Sequence, residues 1–308
     1  DDWRYKVNFN PMKNCSLFQC IPAYKPAPTV RLIQRLTKFD CNILLDLEDS
    51  IQDLIDAKNT RDLKENARKS VLSIAAQLPE TSFYIRINKP GTEESYRDYE
   101  LLNQIKNQVL GVFIPKVEDY NSILHFFNYC NSNFKLCLII ESPVGLNNLD
   151  FILNQLPKGI LEYVFFGNYD YHLSSGVYPI PEQSSNTYWE IAKQIISISE
   201  KYNYPFGNSP YTALNDEATF NFLYKQLKQN CSLPFALMSL HFSQTKYFYN
   251  LSETQLNPEL PFVSCAEEIL TTNLYLNNLQ KGRSFAFFEN LIITPQEYLL
   301  LNHRQNEK

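Results

Sequence analysis

The sequence predicts a (β/α)8 barrel, the TIM-barrel class of α/β fold, with a C-terminal helical extension. About eight short apolar runs alternate with amphipathic stretches over roughly 240 residues, the rhythm of a barrel of βα units. The apolar runs are continuous rather than alternating, as strands covered on both faces require. No GxGxxG opens a helix after the first run, which disfavours a doubly wound open sheet.

Taken in order, the strands are expected at "SLFQCIP" (16–22), "CNILLDLE" (41–48), "SFYIRIN" (82–88), "GVFIPKVE" (111–118), "KLCLIIES" (135–142), "YVFFGNYD" (163–170), "YPFGN" (204–208) and "FALMSLHF" (235–242). Helical patterns fill the gaps at 28–39, 53–78, 94–108, 120–132, 146–156, 185–203 and 215–230. Pro28 and Thr29 are placed to open the first helix, and Asn215-Asp216 to cap the seventh. The barrel domain is therefore expected over 1–250. The extension, 251–308, holds a helix near 263–279, "GRSFAFFENLI" (282–292) as a short strand or hairpin, and "PQEYLLLNH" as a last helix.

Composition narrows the function. A chain of 308 residues that is 44% hydrophobic has material for a large core. The net charge of -5 argues against nucleic-acid binding, which needs a basic stripe. No apolar run approaches the ~18 residues of a membrane span. The stretch "DDWRYKVNFNPMKN" lacks an apolar secretory core. Seven cysteines (Cys15, Cys20, Cys41, Cys130, Cys137, Cys231 and Cys265) form no CxxC and read as reduced cysteines of a cytoplasmic protein. Neither CxxC nor HExxH is present to hold zinc.

In such a barrel the chemistry lies at the C-terminal ends of the strands. There the sequence offers Asp46, Glu48 and Asp49, then Arg86 and Asn88, Lys116 and Glu118, Glu141, Asp170, and finally His241 and Gln244. Arg86 and Asn88, two apart, are expected on one face. Asp46, Lys116 and Glu118 read as a rim ion-pair network. Glu141 and Asp170 are different, because each ends an apolar run, where a carboxylate is costly unless paired or holding a cation. Two carboxylates suit a hard dication such as Mg2+. A guanidinium, Arg86, suits a substrate carboxylate. Together they describe a site for an oxyacid whose enolate a metal could stabilise.

These pieces, in this order, resemble the citrate lyase beta subunit branch of the HpcH/HpaI aldolase family. The matching segments are "LLDLEDSI" (44–51) with Lys58 and "NAR" (66–68), "IRIN", "IPKVED", "IIESPVG", "FFGNYD" and "LHFSQ", spanning about 17–245. The resemblance implies a Mg2+-dependent carbon–carbon lyase or aldolase acting on a small oxyacid, free or carried as a thioester. It implies Glu141 and Asp170 as metal ligands, with Glu141 also at the substrate. It implies Arg86 as the substrate-binding residue, with Glu48 and Asp49 orienting it in the catalytic set. It also implies a homo-oligomer, a trimer or hexamer, with C-terminal elements packed on the barrel or a neighbouring subunit.

Several positions depart from the family pattern. Asn168 and Tyr169 stand within FGxxD, Ser174 stands where relatives carry a second Asp, and Phe242 replaces the proline of HPxQ. Ala23 replaces the glycine of an N-terminal VPG. In thioester-cleaving relatives a C-terminal aspartate enters the site. Here "ENLIITP" puts Ile293 at that position. A free oxyacid, or one on another carrier, is therefore expected in preference to a CoA ester. The alternative reading is a remodelled member that binds a small acid or a partner without catalysis.

Overall fold

The computed structural model describes residues 14–130, 134–214, 216–250, 275–277, 284–288 and 291–306. Eight parallel strands close a barrel in sequence order: β1 (Cys15–Pro22), β2 (Cys41–Asp46), β3 (Phe83–Arg86), β4 (Val109–Ile114), β5 (Lys135–Ile140), β6 (Leu161–Phe166), β7 (Phe206–Gly207) and β8 (Phe235–Ser239). Closure comes from β8 pairing with β1, Cys15 opposite Phe235. The helices between and after them are α1 (Pro26–Leu36), α2 (Ala57–Gln77), α3 (Glu93–Gln104), α4 (Tyr120–Tyr129), α5 (Pro143–Gln155), α6 (Asn168–Ser175), α7 (Asn186–Lys201), α8 (Glu217–Asn230) and α9 (Phe242–Asn250).

All eight expected strands are present, but seven stop short of their expected C-terminal ends. The polar residues there leave the sheet and become the loops of the mouth. At 163–170 the strand ends at Phe166 and Asn168 begins α6, a helix the sequence pattern did not reveal. The first helix starts at Pro26, two residues before the expected pair. Asp216 caps α8, its carboxylate accepting from Thr219 N–H at 2.9 Å, as Asp56, Thr92, Asp119, Ser142 and Ser185 cap α2, α3, α4, α5 and α7.

Two cores result. One lies between the strands and the helix ring. The other fills the barrel, where the Phe18 ring meets Tyr84, Phe113, Tyr163 and Phe165 edge-on at 5.0–5.6 Å. Gly207 makes room for this plug: a Cβ there would stand 2.3 Å from a ring carbon of Phe165. The barrel is thus solid below, and any site must sit above it.

Of the extension, the described part is a hairpin, β9 (Ala286–Phe288) with β10 (Leu291–Ile293), and a helix, α10 (Pro295–Asn306). The helix expected at 263–279 falls mostly outside the described residues, as does Cys265. The hairpin is tied to the loop after β7, with Ile292 N–H donating to Thr212 O at 3.0 Å. A reciprocal cap starts α10. Thr294 N–H donates to Glu297 Oε2 at 2.8 Å, and Glu297 N–H donates to Thr294 Oγ1 at 3.3 Å. The six described cysteines form no disulfide. Among the described residues, no helix is long and apolar enough to cross a membrane.

Candidate metal and substrate site

At the C-terminal end of the barrel, β2 and β3 run in register, setting Asp46 opposite Arg86. Arg86 Nε and Nη2 donate to the two Asp46 carboxylate oxygens at 2.6 and 2.5 Å. Asp46 also accepts from the N–H groups of Glu48 and Ser50, which folds the loop back. Although burial opposes it, the Arg86 guanidinium holds the Asp46 carboxyl below the usual carboxylate range. Arg86 was expected to lean on Glu48 and Asp49. Those lie farther off, at 3.5 and 3.9 Å from Nη1, and the close bidentate partner is Asp46. With Nε and Nη2 committed to Asp46 and Nη1 facing Glu48 and Asp49, Arg86 lines the cavity.

Asn88 does not share the Arg86 face. The strand ends at Arg86, its alternation ends with it, and Asn88 turns toward α2 and α3. There its amide donates to Asp98 at 2.8 Å and its oxygen accepts from the Lys64 ammonium. Lys64 also donates to the carbonyls of Leu47 and Glu48 at 3.1 and 3.0 Å. Lys58, the lysine picked out in sequence, is exposed at the start of α2, and Lys64 is the buried one. Lys64 sits four residues before Arg68, which pairs with Asp98 at 3.0 Å. That helical spacing was the available signal.

Lys116 is more than a rim residue. Its φ of 54° is unusual for a lysine. The turn aims its N–H at Glu141 Oε1, 3.1 Å away. Its ammonium contacts Glu48, donates to Asp49 Oδ1 at 3.0 Å, and lies 3.9 Å from Asp170 Oδ1. Burial alone would lower its pKa, but Asp49, Glu48 and Asp170 outweigh burial and raise it. Lys116 is therefore held as a cation, which does not suit an amine nucleophile. Glu118 remains a rim residue, 3.5 Å from Lys89 and accepting from Ser142 Oγ at 3.0 Å.

Glu141 follows β5, and Asp170 sits in the first turn of α6. Together with Asp49 they bring one oxygen each within 4.8 Å of one another. Gly167 allows this, because a Cβ there would stand 2.6 Å from Glu141 Cγ. The extension supplies a residue that sequence reasoning missed. Gln296 Nε2, from α10, donates to Asp49 Oδ2 at 3.0 Å and Asp170 Oδ2 at 2.7 Å. Ser284 Oγ donates to Asp49 O at 2.7 Å. No charge or motif marked Gln296 in the sequence.

Five carboxylates, Asp46, Glu48, Asp49, Glu141 and Asp170, are buried or nearly so. They face three cations, Arg86, Lys116 and Lys64. Fully ionised, the carboxylates outnumber the cations. The strain shows in the titration. Burial, then the Asp49 charge, pushes Glu48 up to about 8. Burial also raises Glu141 and Asp170. On Asp49 burial acts the same way, but Lys116 and Arg86 overcome it and hold the carboxyl low. An all-oxygen donor set with this surplus fits a hard divalent ion.

The remaining sequence candidates have other positions. His241 lines the outer cavity and bonds Ser243. Gln244 closes its own loop, accepting from Leu240 N–H at 2.8 Å and donating to Tyr211 O at 2.7 Å. Ser174 is exposed on α6, donating to Tyr171 O. The Tyr169 hydroxyl donates to Thr212 at 3.0 Å. Ile293 is buried in the hairpin with Tyr275 and Tyr298.

A closed parallel barrel with carboxylates and an arginine at its C-terminal mouth defines a class of (β/α)8 proteins, and the comparisons narrow it. The model of the HpcH/HpaI aldolase/citrate lyase family matches residues 27–230, and the chain belongs to that family. Among solved structures it is similar to RipC from Yersinia pestis, 19% identical, covering 83% of this chain and 98% of that one at a TM-score of 0.58. It is also similar to the citrate lyase beta subunit of M. tuberculosis complexed with oxaloacetate and magnesium: 15% identity, 79% and 98% coverage, TM-score 0.59. The malate synthase of Haloferax volcanii, a pyruvate/acetyl-CoA ternary complex, is 10% identical, with 99% and 92% coverage and a TM-score of 0.64. No curated protein matches the sequence at a significant level.

Proposed function

We propose that the protein is a Mg2+-dependent carbon–carbon lyase or aldolase acting on a free oxyacid. The observation that carries this is the Asp49, Glu141 and Asp170 cluster beside Arg86, opening into one cavity. Asp49, Glu141 and Asp170 would hold the ion; in the M. tuberculosis relative the bound species are oxaloacetate and magnesium. Bound Mg2+ would supply Lewis-acid polarisation of substrate oxygens. The chain's own residues do the rest. Arg86, pinned by Asp46 and lining the cavity, would offer its guanidinium to a substrate carboxylate. Lys116 fixes Glu48 and Asp49 and keeps positive charge beside the reacting acid. The aromatic plug closes the floor of the site. Ile293, apolar and packed in the hairpin, cannot take a proton, which supports a free acid over a CoA thioester.

The test is titration of the protein with Mg2+, then with oxaloacetate, pyruvate and glyoxylate, by calorimetry, followed by product analysis. Mg2+ binding should weaken at least about tenfold in Asp170→Asn and Glu141→Gln, and oxyacid binding should require the ion. An oxyacid affinity indifferent to Mg2+ would refute the proposal. A second reading, an acid-binding member without turnover, draws on Gln296, whose amide bridges two of the same carboxylates. Mg2+-dependent binding of acids with no product formed would select it.

A further inference from the structure

The cavity above the cluster has a volume of about 600 Å³. That is space for roughly twenty water-sized groups, so a four-carbon dicarboxylic acid would fill less than half of it. Its lining is mostly apolar. Asp49, Arg86, Glu141 and Asp170 line it as one close cluster. The lining also includes Phe165, Met238 and Leu240 from the barrel, and Phe285, Phe287 and Ile292 from the extension. Phe287 is 43% exposed, a large apolar ring left at the cavity. A site that took only a small, doubly charged acid would gain nothing from this apolar lining. Among the described residues the lining holds two cations, Arg86 and Lys25, and the first is already paired with Asp46.

We infer that the substrate is an oxyacid bearing an apolar tail of about six to ten carbons, a length that a cavity of this size can bury. Its acid head lies at Arg86 and the carboxylate cluster. Its tail lies along Met238, Leu240, Phe287 and Ile292. The inference rests on the lyase reading above and specifies its substrate class. It also gives the hairpin a purpose: with Ile293 packed in it, its described residues bring apolar side chains to the cavity.

The experiment is calorimetry with Mg2+ and a series of 2-oxo acids: oxaloacetate, 2-oxobutanoate, 2-oxohexanoate and 2-oxodecanoate, with decanoate and propionyl-CoA alongside. Affinity should rise roughly fourfold per methylene along the series until the slot is full. Phe287→Asp and Leu240→Asp, each confirmed folded by circular dichroism, should flatten that slope and weaken 2-oxodecanoate by about fifteenfold, the worth of two methylenes. Mg2+-dependent binding in which oxaloacetate equals or exceeds 2-oxodecanoate would overturn the tail and leave the lyase reading standing. Decanoate binding as well as 2-oxodecanoate, with no need of Mg2+, would overturn both. Tighter binding of propionyl-CoA than of any free acid would overturn the inference in favour of a thioester.

Discussion

Gly167 marks how closely the site is built. Its missing side chain lets Glu141 pass, and an added Cβ would also lie 3.1 Å from the carboxyl carbon. Gly167→Ala should cost about 1–3 kcal/mol of stability through overpacking. By displacing one ligand it should lower Mg2+ affinity about tenfold, measured by calorimetry. The carboxylates themselves predict a pH dependence. Glu48 rises from 4.5 to about 8, through burial and then Asp49. A group with a raised folded pKa stabilises fully below its unfolded value and loses that contribution as pH rises through the folded one. Without metal, the protein should therefore lose stability between about pH 5 and 8, and Mg2+ should remove the slope. Denaturant melts at pH 5.5, 7 and 8.5, with and without Mg2+, measure this, and rising metal-free stability across that range would contradict it. Asp46 and Asp49, held low by Arg86 and by Lys116 with Arg86 respectively, act oppositely and lose their contribution as the solution becomes strongly acid. Glu141, Asp170 and Arg86 stood out in sequence because a charge closing an apolar run needs a partner. Gln296 did not, being a neutral amide 247 positions from Asp49 in the chain.

The strands were legible as elements because a barrel strand is apolar on both faces, and continuous apolar runs have few other uses. Their ends were not, since "DLED" and "IIES" continue the chain's extended course into loops held by side chains such as Asp46 and Ser142. Helix α6 was hidden because its eight residues carry no clear apolar stripe and directly follow a strand. The extension shows the reverse. The hairpin and last helix were expected, but nothing local showed that they would lie over the mouth. The hinge of that arrangement is the reciprocal Thr294–Glu297 cap. Thr294→Ala should cost about 1 kcal/mol, and hydrogen exchange should locate the loss in α10 rather than in the barrel. Gln296→Leu should cost a further ~1–3 kcal/mol by leaving buried carboxylate oxygens without their donor. If both variants exchanged like the wild type in α10, the extension would not be held by these contacts.

At the scale of the whole molecule, the site gathers distant parts of the chain: Asp49 after β2, Glu141 after β5, Asp170 in α6 and Gln296 in α10. A dication bound there would offset the surplus of carboxylates and tie both halves of the barrel to the extension. Binding to the folded state alone stabilises by mass action, about 2.7 kcal/mol when free Mg2+ is a hundred times its Kd. For a chain of this size that should raise Tm by roughly 5 °C. The rise should be absent in Asp170→Asn. It should be accompanied by slower proteolysis of the extension, because Gln296 hydrogen-bonds two of the three carboxylates that would hold the ion. Differential scanning calorimetry and limited proteolysis at matched Mg2+ concentrations read the two effects separately. If Tm rose equally in wild type and Asp170→Asn, the ion would be binding elsewhere. If Tm rose in the wild type alone but the extension was cut as fast as before, the metal site and the extension would be energetically independent despite their contact.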